Sequence, residues 1–219
     1  MKIKICGIRR IEDIAYLNEF SPDYAGFILS EGFRRTIVLE TFCELNSYLD
    51  KGIKRVGVFV NEPIENILKY YAEMLDVIQL HGDEDKKYIE ELRKHTNCEI
   101  WKAVRTKSSD DIESACKLPV DKLLIDSFSE KSNGGGIGKR VDLEIVKNAK
   151  ITMPFLLAGG LDESNIISAV NEVNCYGADL SSSAETGGVK DKEKIKRIIS
   201  LIRNYRGNYE EHDNTSKSY

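Results

Sequence analysis

VIQLHGDEDKKYIEELRKHTNCEIWKAV, residues 77–104, decides the fold. Val77–Leu80 is short and mostly apolar, the pattern of a strand buried on both faces. From Asp83 to His95 the chain turns strongly charged, with Tyr88, Ile89 and Leu92 recurring at helical spacing as a buried side. Glu99–Val104 then returns to the strand pattern. A buried strand, an amphipathic helix and a second buried strand make a parallel β/α unit, because parallel neighbours need a crossover connection.

The same alternation extends in both directions. Strand patterns recur at Ile3–Cys6, Tyr24–Leu29, Arg55–Phe59, Lys122–Ile125, Phe155–Leu157 and Gly177–Leu180, for eight in all. Helical spacing recurs at Ile64–Ala72, Ser164–Asn171 and Asp191–Tyr205. Asn61 before Pro63, Asp162 before Glu163 and Asp191 before Glu193 are expected start signals. Two layouts accommodate such a chain, a closed ring and an open doubly wound sheet. Even spacing and a count of eight favour the ring, and no glycine fingerprint follows the first strand. The expected fold is therefore α/β, a single (β/α)8 TIM barrel over residues 1–205. Residues 206–219 form a polar tail without apolar period, expected to be disordered.

At 219 residues the chain suits one such barrel. Lys and Arg number 32 against 36 Asp and Glu, a net charge of −4, and no basic stripe suggests a nucleic-acid partner. No apolar run is long enough to span a bilayer. The strand pattern at Met1–Ile5 leaves no room for a signal peptide, so none is expected. The five cysteines, Cys6, Cys43, Cys98, Cys116 and Cys175, are widely spaced without a Cys-x-x-Cys pair. That pattern argues against a disulfide framework or zinc site and for a reducing cytoplasm.

In a barrel the active site lies at the C-terminal ends of the strands, which provides a filter for reactive residues. Cys6 ends the first strand and reads either as a buried structural cysteine or as a base or nucleophile. Asp126 follows Leu123-Leu124-Ile125 and reads either as a cap or as a catalytic acid. The long connection after it, Ser127 to Lys139, carries Gly134-Gly135-Gly136-Ile137-Gly138. Gly159-Gly160 follow the seventh strand and Ser181-Ser182-Ser183 the eighth, where such barrels bind phosphate; the alternative is two ordinary turns. Arg34 and Arg35 follow the second strand and form either a carboxylate clamp or a solvated basic pair. His81 ends the fourth strand as an acid, a base or a hydrogen-bonding liner. Trp101 reads as core, and His95 and His212 as surface.

These residues lie within longer motifs. Lys4-Ile5-Cys6-Gly7-Ile8, Val56-Gly57-Val58-Phe59-Val60-Asn61, Gln79-Leu80-His81-Gly82-Asp83-Glu84, Leu124-Ile125-Asp126-Ser127, Ala158-Gly159-Gly160-Leu161, Asp179-Leu180-Ser181-Ser182 and Glu185–Asp191 resemble the phosphoribosylanthranilate isomerase family in order, over residues 2 to about 204. The resemblance implies an Amadori rearrangement in tryptophan biosynthesis without metal or cofactor. It assigns the general base to Cys6 and the general acid to Asp126. It implies a burial or charge environment that raises Asp126, and positive charge or a helix dipole near Cys6. Arg35 matches the arginine that faces the anthranilate carboxylate. His81 is carried as a substrate-binding residue. Gly135, Gly136, Gly138, Gly159, Gly160, Ser181 and Ser182 match the phosphate-holding segments. The expected partner is this small-molecule substrate, with no nucleic acid and no membrane, in a monomer or homodimer.

The chain departs from the family pattern at Leu29-Ser30-Glu31-Gly32-Phe33, where an aromatic and proline run is usual. It departs again at Ser183 in place of glycine and at Arg140 in place of threonine. Competing readings are another phosphate-binding barrel of the same pathway and an inactive barrel acting as a binding subunit. The first lacks its lysine and glutamate set here, and retention of Cys6 and Asp126 argues against the second.

Overall fold

The computed structural model describes residues 1–127 and 140–205. Eight parallel strands close into one ring in chain order. They are β1 (Lys2–Cys6), β2 (Tyr24–Ile28), β3 (Lys54–Phe59), β4 (Val77–Leu80), β5 (Glu99–Thr106), β6 (Lys122–Ser127), β7 (Phe155–Leu157) and β8 (Gly177–Leu180). Helices α1 (Ile11–Phe20), α2 (Leu39–Tyr48), α3 (Ile64–Tyr70), α4 (Lys86–Arg93), α5 (Ser109–Ala115), α6 (Leu143–Asn148), α7 (Ile166–Val173) and α8 (Lys192–Asn204) follow the strands in turn. The expected barrel is the observed one. Residues 206–219, the expected tail, lie outside the described residues, as do 128–139.

The strands are buried on both faces, and the two faces belong to two different cores. Outward-facing side chains such as Ile3, Ile5, Phe27, Ile78, Leu80, Ile100 and Leu123 pack with the helices in one large cluster. Inward-facing Tyr24, Val56, Val77, Trp101, Ala103, Leu124, Leu156 and Ala158 form a second cluster inside the ring. Period-two alternation separates them: Ile100 faces out and Trp101 in, Leu123 out and Leu124 in. Trp101 is fully buried in the ring, edge-on to Tyr24 at 4.9 Å between centroids, and its indole N–H donates to Glu99 at 2.8 Å. It is core, as expected.

Helix boundaries move by a few residues from those expected, for reasons of capping. The pattern read from Asp83 begins as helix only at Lys86, because Asp85 is the cap that accepts from the Tyr88 N–H at 2.9 Å. Glu84 is instead drawn below the helix, accepting from the N–H groups of Asn61 and Gly82 and from Lys102. Asn61 is not the cap of α3, which begins after Pro63. It adopts a left-handed backbone (φ 51°) and accepts from the Asp83 N–H. α7 begins at Ile166 after Asn165, while Asp162 holds the preceding turn through Ser164. Asp191 caps α8 as expected, accepting from the Lys194 N–H.

Ring closure joins β1 to β8 over Lys2–Ile5 and Gly177–Leu180. Gly177 sits there because a Cβ would lie 2.6 Å from the Lys2 carbonyl oxygen, a backbone atom that cannot swing aside. Gly177→Ala is expected to lower unfolding free energy by about 1–3 kcal/mol, the usual cost of overpacking. Urea denaturation checks it; an unchanged midpoint would mean that the closing seam is looser than described.

Candidate active site

The alternation that builds the inner core also aims the reactive residues. Lys4 faces into the ring, so Cys6, two residues on, faces in at its upper rim. Leu124 faces in, and so does Asp126. Both line one cavity at the C-terminal ends of the strands, where sites in this fold lie. Arg35, Gln79, His81, Gly159, Gly160, Asp179, Ser181 and Ser182 line it as well. Cys6, Asp126, Arg35, His81, Gly159, Gly160, Ser181 and Ser182 therefore reach the same cavity, whereas Arg34 is not among its lining residues. Gly135, Gly136 and Gly138 lie outside the described residues.

Asp126 is the residue whose environment speaks most directly. Burial pushes its carboxyl up from 3.8 to about 6. The Ser127 N–H, donating to Oδ1 at 2.7 Å, opposes the shift; the charge of Asp179 adds to it, and Arg105 opposes it. A carboxylic acid that keeps its proton toward neutrality is the form needed to donate one. The shift is in the direction that the family resemblance implies, and burial is its main cause.

Cys6 is 7% exposed and free of disulfide bonding. Its sulfur and the Lys4 ammonium both reach over Gly26: a Cβ there would lie 2.8 Å from Sγ and 3.0 Å from Nζ. Lys4 is fully buried and bonded to Asp179 at 3.0 Å. Burial alone would lower Lys4, but Asp179 and Cys6 outweigh it and raise it, so the ammonium stays charged. The positive charge expected near Cys6 is therefore a neighbour on the same strand.

Arg35 differs from a free clamp. It is buried, and its Nε and Nη2 donate to Glu185 at 2.6 and 3.0 Å. The same carboxylate accepts from Lys190 Nζ at 3.0 Å and Arg34 Nη2 at 2.9 Å. Burial would raise Glu185, yet Arg35 and Lys190 hold it at about 2. Three cations on one carboxylate leave net positive charge at the cavity wall, suited to an anionic group. Gly7 makes room for this arrangement: with φ at 83°, its missing Cβ would lie 2.4 Å from Arg35 Cδ.

Glu185 and Lys190 belong to the site although the sequence alone does not mark them as site residues. The available signal was the pair Gly187-Gly188, which turns a short antiparallel hairpin between β9 (Glu185–Thr186) and β10 (Val189–Lys190). The hairpin sets Lys190 directly opposite Glu185. Asp179 and Gln79 also line the cavity, and nothing in a single sequence distinguishes an inward polar residue from an outward one before the register is known.

At the other wall, Gly159 and Gly160 adopt positive φ, 84° and 66°. Ser181 Oγ donates to the Cys6 carbonyl at 3.1 Å, tying β8 to the end of β1. Ser183, expected to replace a glycine, is not among the residues with positive φ, so its backbone does not require glycine. Phe33 supplies an aromatic side chain to the cavity from the unusual loop after β2. Lys102 faces outward to Glu84 at 2.8 Å and takes no part, and His95 is exposed.

The sequence model of the family described as N-(5'-phosphoribosyl)anthranilate isomerase matches residues 3–200. A relative of that name from Thermoanaerobacter sp. (strain X514) is 44% identical over 207 residues, 94% of this chain and 100% of its own length. The crystal structure of phosphoribosyl anthranilate isomerase from Thermus thermophilus superposes with a TM-score of 0.82 at 29% identity, covering 93% of this chain and 98% of that one. A further structure of such an isomerase, in complex with reduced 1-(o-carboxyphenylamino)-1-deoxyribulose 5-phosphate, gives 0.76 at 28% identity over 94% and 100%. Sequence, fold and the contents of the cavity agree, and the chain belongs to the N-(5'-phosphoribosyl)anthranilate isomerase family.

Proposed function

We infer that the chain converts N-(5-phosphoribosyl)anthranilate to 1-(2-carboxyphenylamino)-1-deoxyribulose 5-phosphate, a step of tryptophan biosynthesis, with Asp126 as general acid and Cys6 as general base. The observation that carries this reading is a carboxyl held near a pKa of about 6 in the cavity that also holds the Cys6 thiol. Asp126 donates its proton to the furanose ring oxygen. The bond from that oxygen to C1 breaks as the amine nitrogen lone pair forms the C1–N iminium. Cys6, as thiolate, removes the proton from C2, whose acidity the iminium increases. The electron pair neutralises the nitrogen, and the resulting enol tautomerises to the ketone. Two groups on strands three apart around the ring can flank one pentose.

The anchors follow from charge. Arg35, with Lys190 and Arg34 around Glu185, faces the anthranilate carboxylate. Gly159, Gly160, Ser181 and Ser182 hold the phosphate together with Gly135, Gly136 and Gly138 of the loop outside the described residues. His81 serves as a hydrogen-bonding liner. The five free thiols support a cytoplasmic setting.

Cys6→Ser and Asp126→Asn are each expected to lower turnover by orders of magnitude in a fluorescence assay on freshly made phosphoribosylanthranilate, with Asp126→Asn still binding substrate. Near-normal turnover in either would remove that residue from its role. Arg35→Ala is expected to raise the Michaelis constant about tenfold or more while changing turnover less, the mark of lost binding common to ground and transition states. An unchanged constant would move the carboxylate site elsewhere.

Asp126 also links pH to stability. The folded carboxyl keeps its proton to higher pH than the unfolded one, so this group favours folding at acid pH. That support is lost as pH rises from about 4 through about 6. At neutral pH, Asp126→Asn is expected to stabilise the fold by about 1–3 kcal/mol, with the advantage gone below about pH 4. Thermal melts across that range check the sign, and a destabilised variant at neutral pH would refute the burial argument.

A further inference from the structure

Among the described residues, two buried side-chain polar atoms have no hydrogen-bond partner: Gln79 Oε1 and His81 Nε2. Both residues line the cavity of Cys6 and Asp126. They are also bonded to each other, Gln79 Nε2 to His81 Nδ1 at 3.0 Å, so the two orphan atoms are the outer ends of one pair. Unpaired buried polar atoms are costly, and a chain that pairs its other buried polar side chains has a use for the exceptions. Asp126 does not satisfy His81: its Oδ2 stands 3.7 Å from Nε2, beyond hydrogen-bond range.

The chemistry of the missing partner can be deduced. Burial, reinforced by the positive charges of Arg105, Lys4 and Lys102, drives His81 down to about 3, so the imidazole is neutral and carries one N–H. If Gln79 donates to Nδ1, the free ends are an acceptor on Gln79 and an N–H donor on His81. If instead the Gln79 amide is turned so that its oxygen accepts from Nδ1–H, the free ends are an amide N–H donor and an imidazole acceptor. Either arrangement offers one donor and one acceptor side by side. A carboxylate or phosphate only accepts and an ammonium only donates, so neither pairs with both. A hydroxyl does both.

We propose that Gln79 and His81 form a two-point seat for a hydroxyl of the substrate pentose beside Asp126. The idea rests on the isomerase reading above and adds Gln79 as a binding residue. In that reaction the C2 oxygen becomes a ketone and the ring oxygen becomes a new hydroxyl. The C3 hydroxyl alone keeps both its hydrogen and its lone pairs from substrate to product. It is the group the pair holds, fixing the sugar while bonds change on either side.

The test uses the reduced, non-reacting product analogue and its 3-deoxy counterpart, titrated calorimetrically into the wild-type chain and Gln79→Leu near neutral pH. The full analogue is expected to bind Gln79→Leu about tenfold more weakly than wild type, as is the 3-deoxy analogue to wild type, each change corresponding to about one net hydrogen bond. Gln79→Leu is expected to weaken the 3-deoxy analogue no further. Equal weakening of both analogues, or of neither, overturns the seat, because a packing role would not distinguish them. Should Gln79→Leu fail to fold, the wild-type chain decides alone through the 15N signals of His81. These are expected to shift with the full analogue and not with the 3-deoxy one; identical responses overturn the proposal. Failure of the full analogue to bind wild type at all would instead overturn the substrate assignment.

Discussion

A closed ring of eight strands leaves its inward side chains only one another to pack against. Everything in this protein depends on that constraint. Along each strand alternate residues must fill the ring, so a polar residue on the inward phase cannot reach solvent except at the rim. Below the rim, inward polar groups need partners, as Lys4 finds Asp179 and Trp101 finds Glu99. At the rim they converge on a shared space. Cys6, Gln79, Asp126 and Asp179 come from four strands and meet because of their phase, not their separation in sequence.

Asp126 in that space and Glu185 behind the Arg35 wall are two carboxylates of opposite character. Asp126 is half-buried with one backbone N–H donor, and desolvation keeps its proton to about 6. Glu185 is buried but touches Arg35, Lys190 and Arg34, and is ionised down to about 2. The same chemical group becomes a proton donor at one wall and a permanent anion at the other. His81, pressed by burial and by three nearby cations, is reduced to a neutral hydrogen-bonding group. The cavity thus separates proton transfer, charge anchoring and neutral recognition among residues of ordinary kinds.

The strands were the most legible elements. Val77–Leu80, Phe155–Leu157 and Gly177–Leu180 match their observed limits, because strands buried on both faces leave dense apolar runs. Strand ends then located Cys6, Asp126 and His81 without any contact information. Helix starts were less legible, since Asp83, Glu84 and Asp85 look alike in sequence although only Asp85 caps the helix. The charge network around Glu185 was the least legible. It joins residues about 150 positions apart, and no local period records such a meeting. An Arg-Arg pair in a loop reads more commonly as solvated than as a clamp, and only the burial of Arg35 against Glu185 removes the solvated reading for that residue.

Ring closure through β1 and β8 also has a consequence for the newborn chain. The first strand can pair with β2 almost at once, but its other edge waits for Gly177–Leu180. At ribosomal speed that interval is on the order of ten to thirty seconds. Throughout it the apolar Ile3 and Ile5 sit beside an open backbone edge, and the Lys4 ammonium lacks its counter-ion. An inward charge on an open strand edge disfavours pairing with another chain, and Lys4 carries such a charge with no counter-ion until Asp179 has been made.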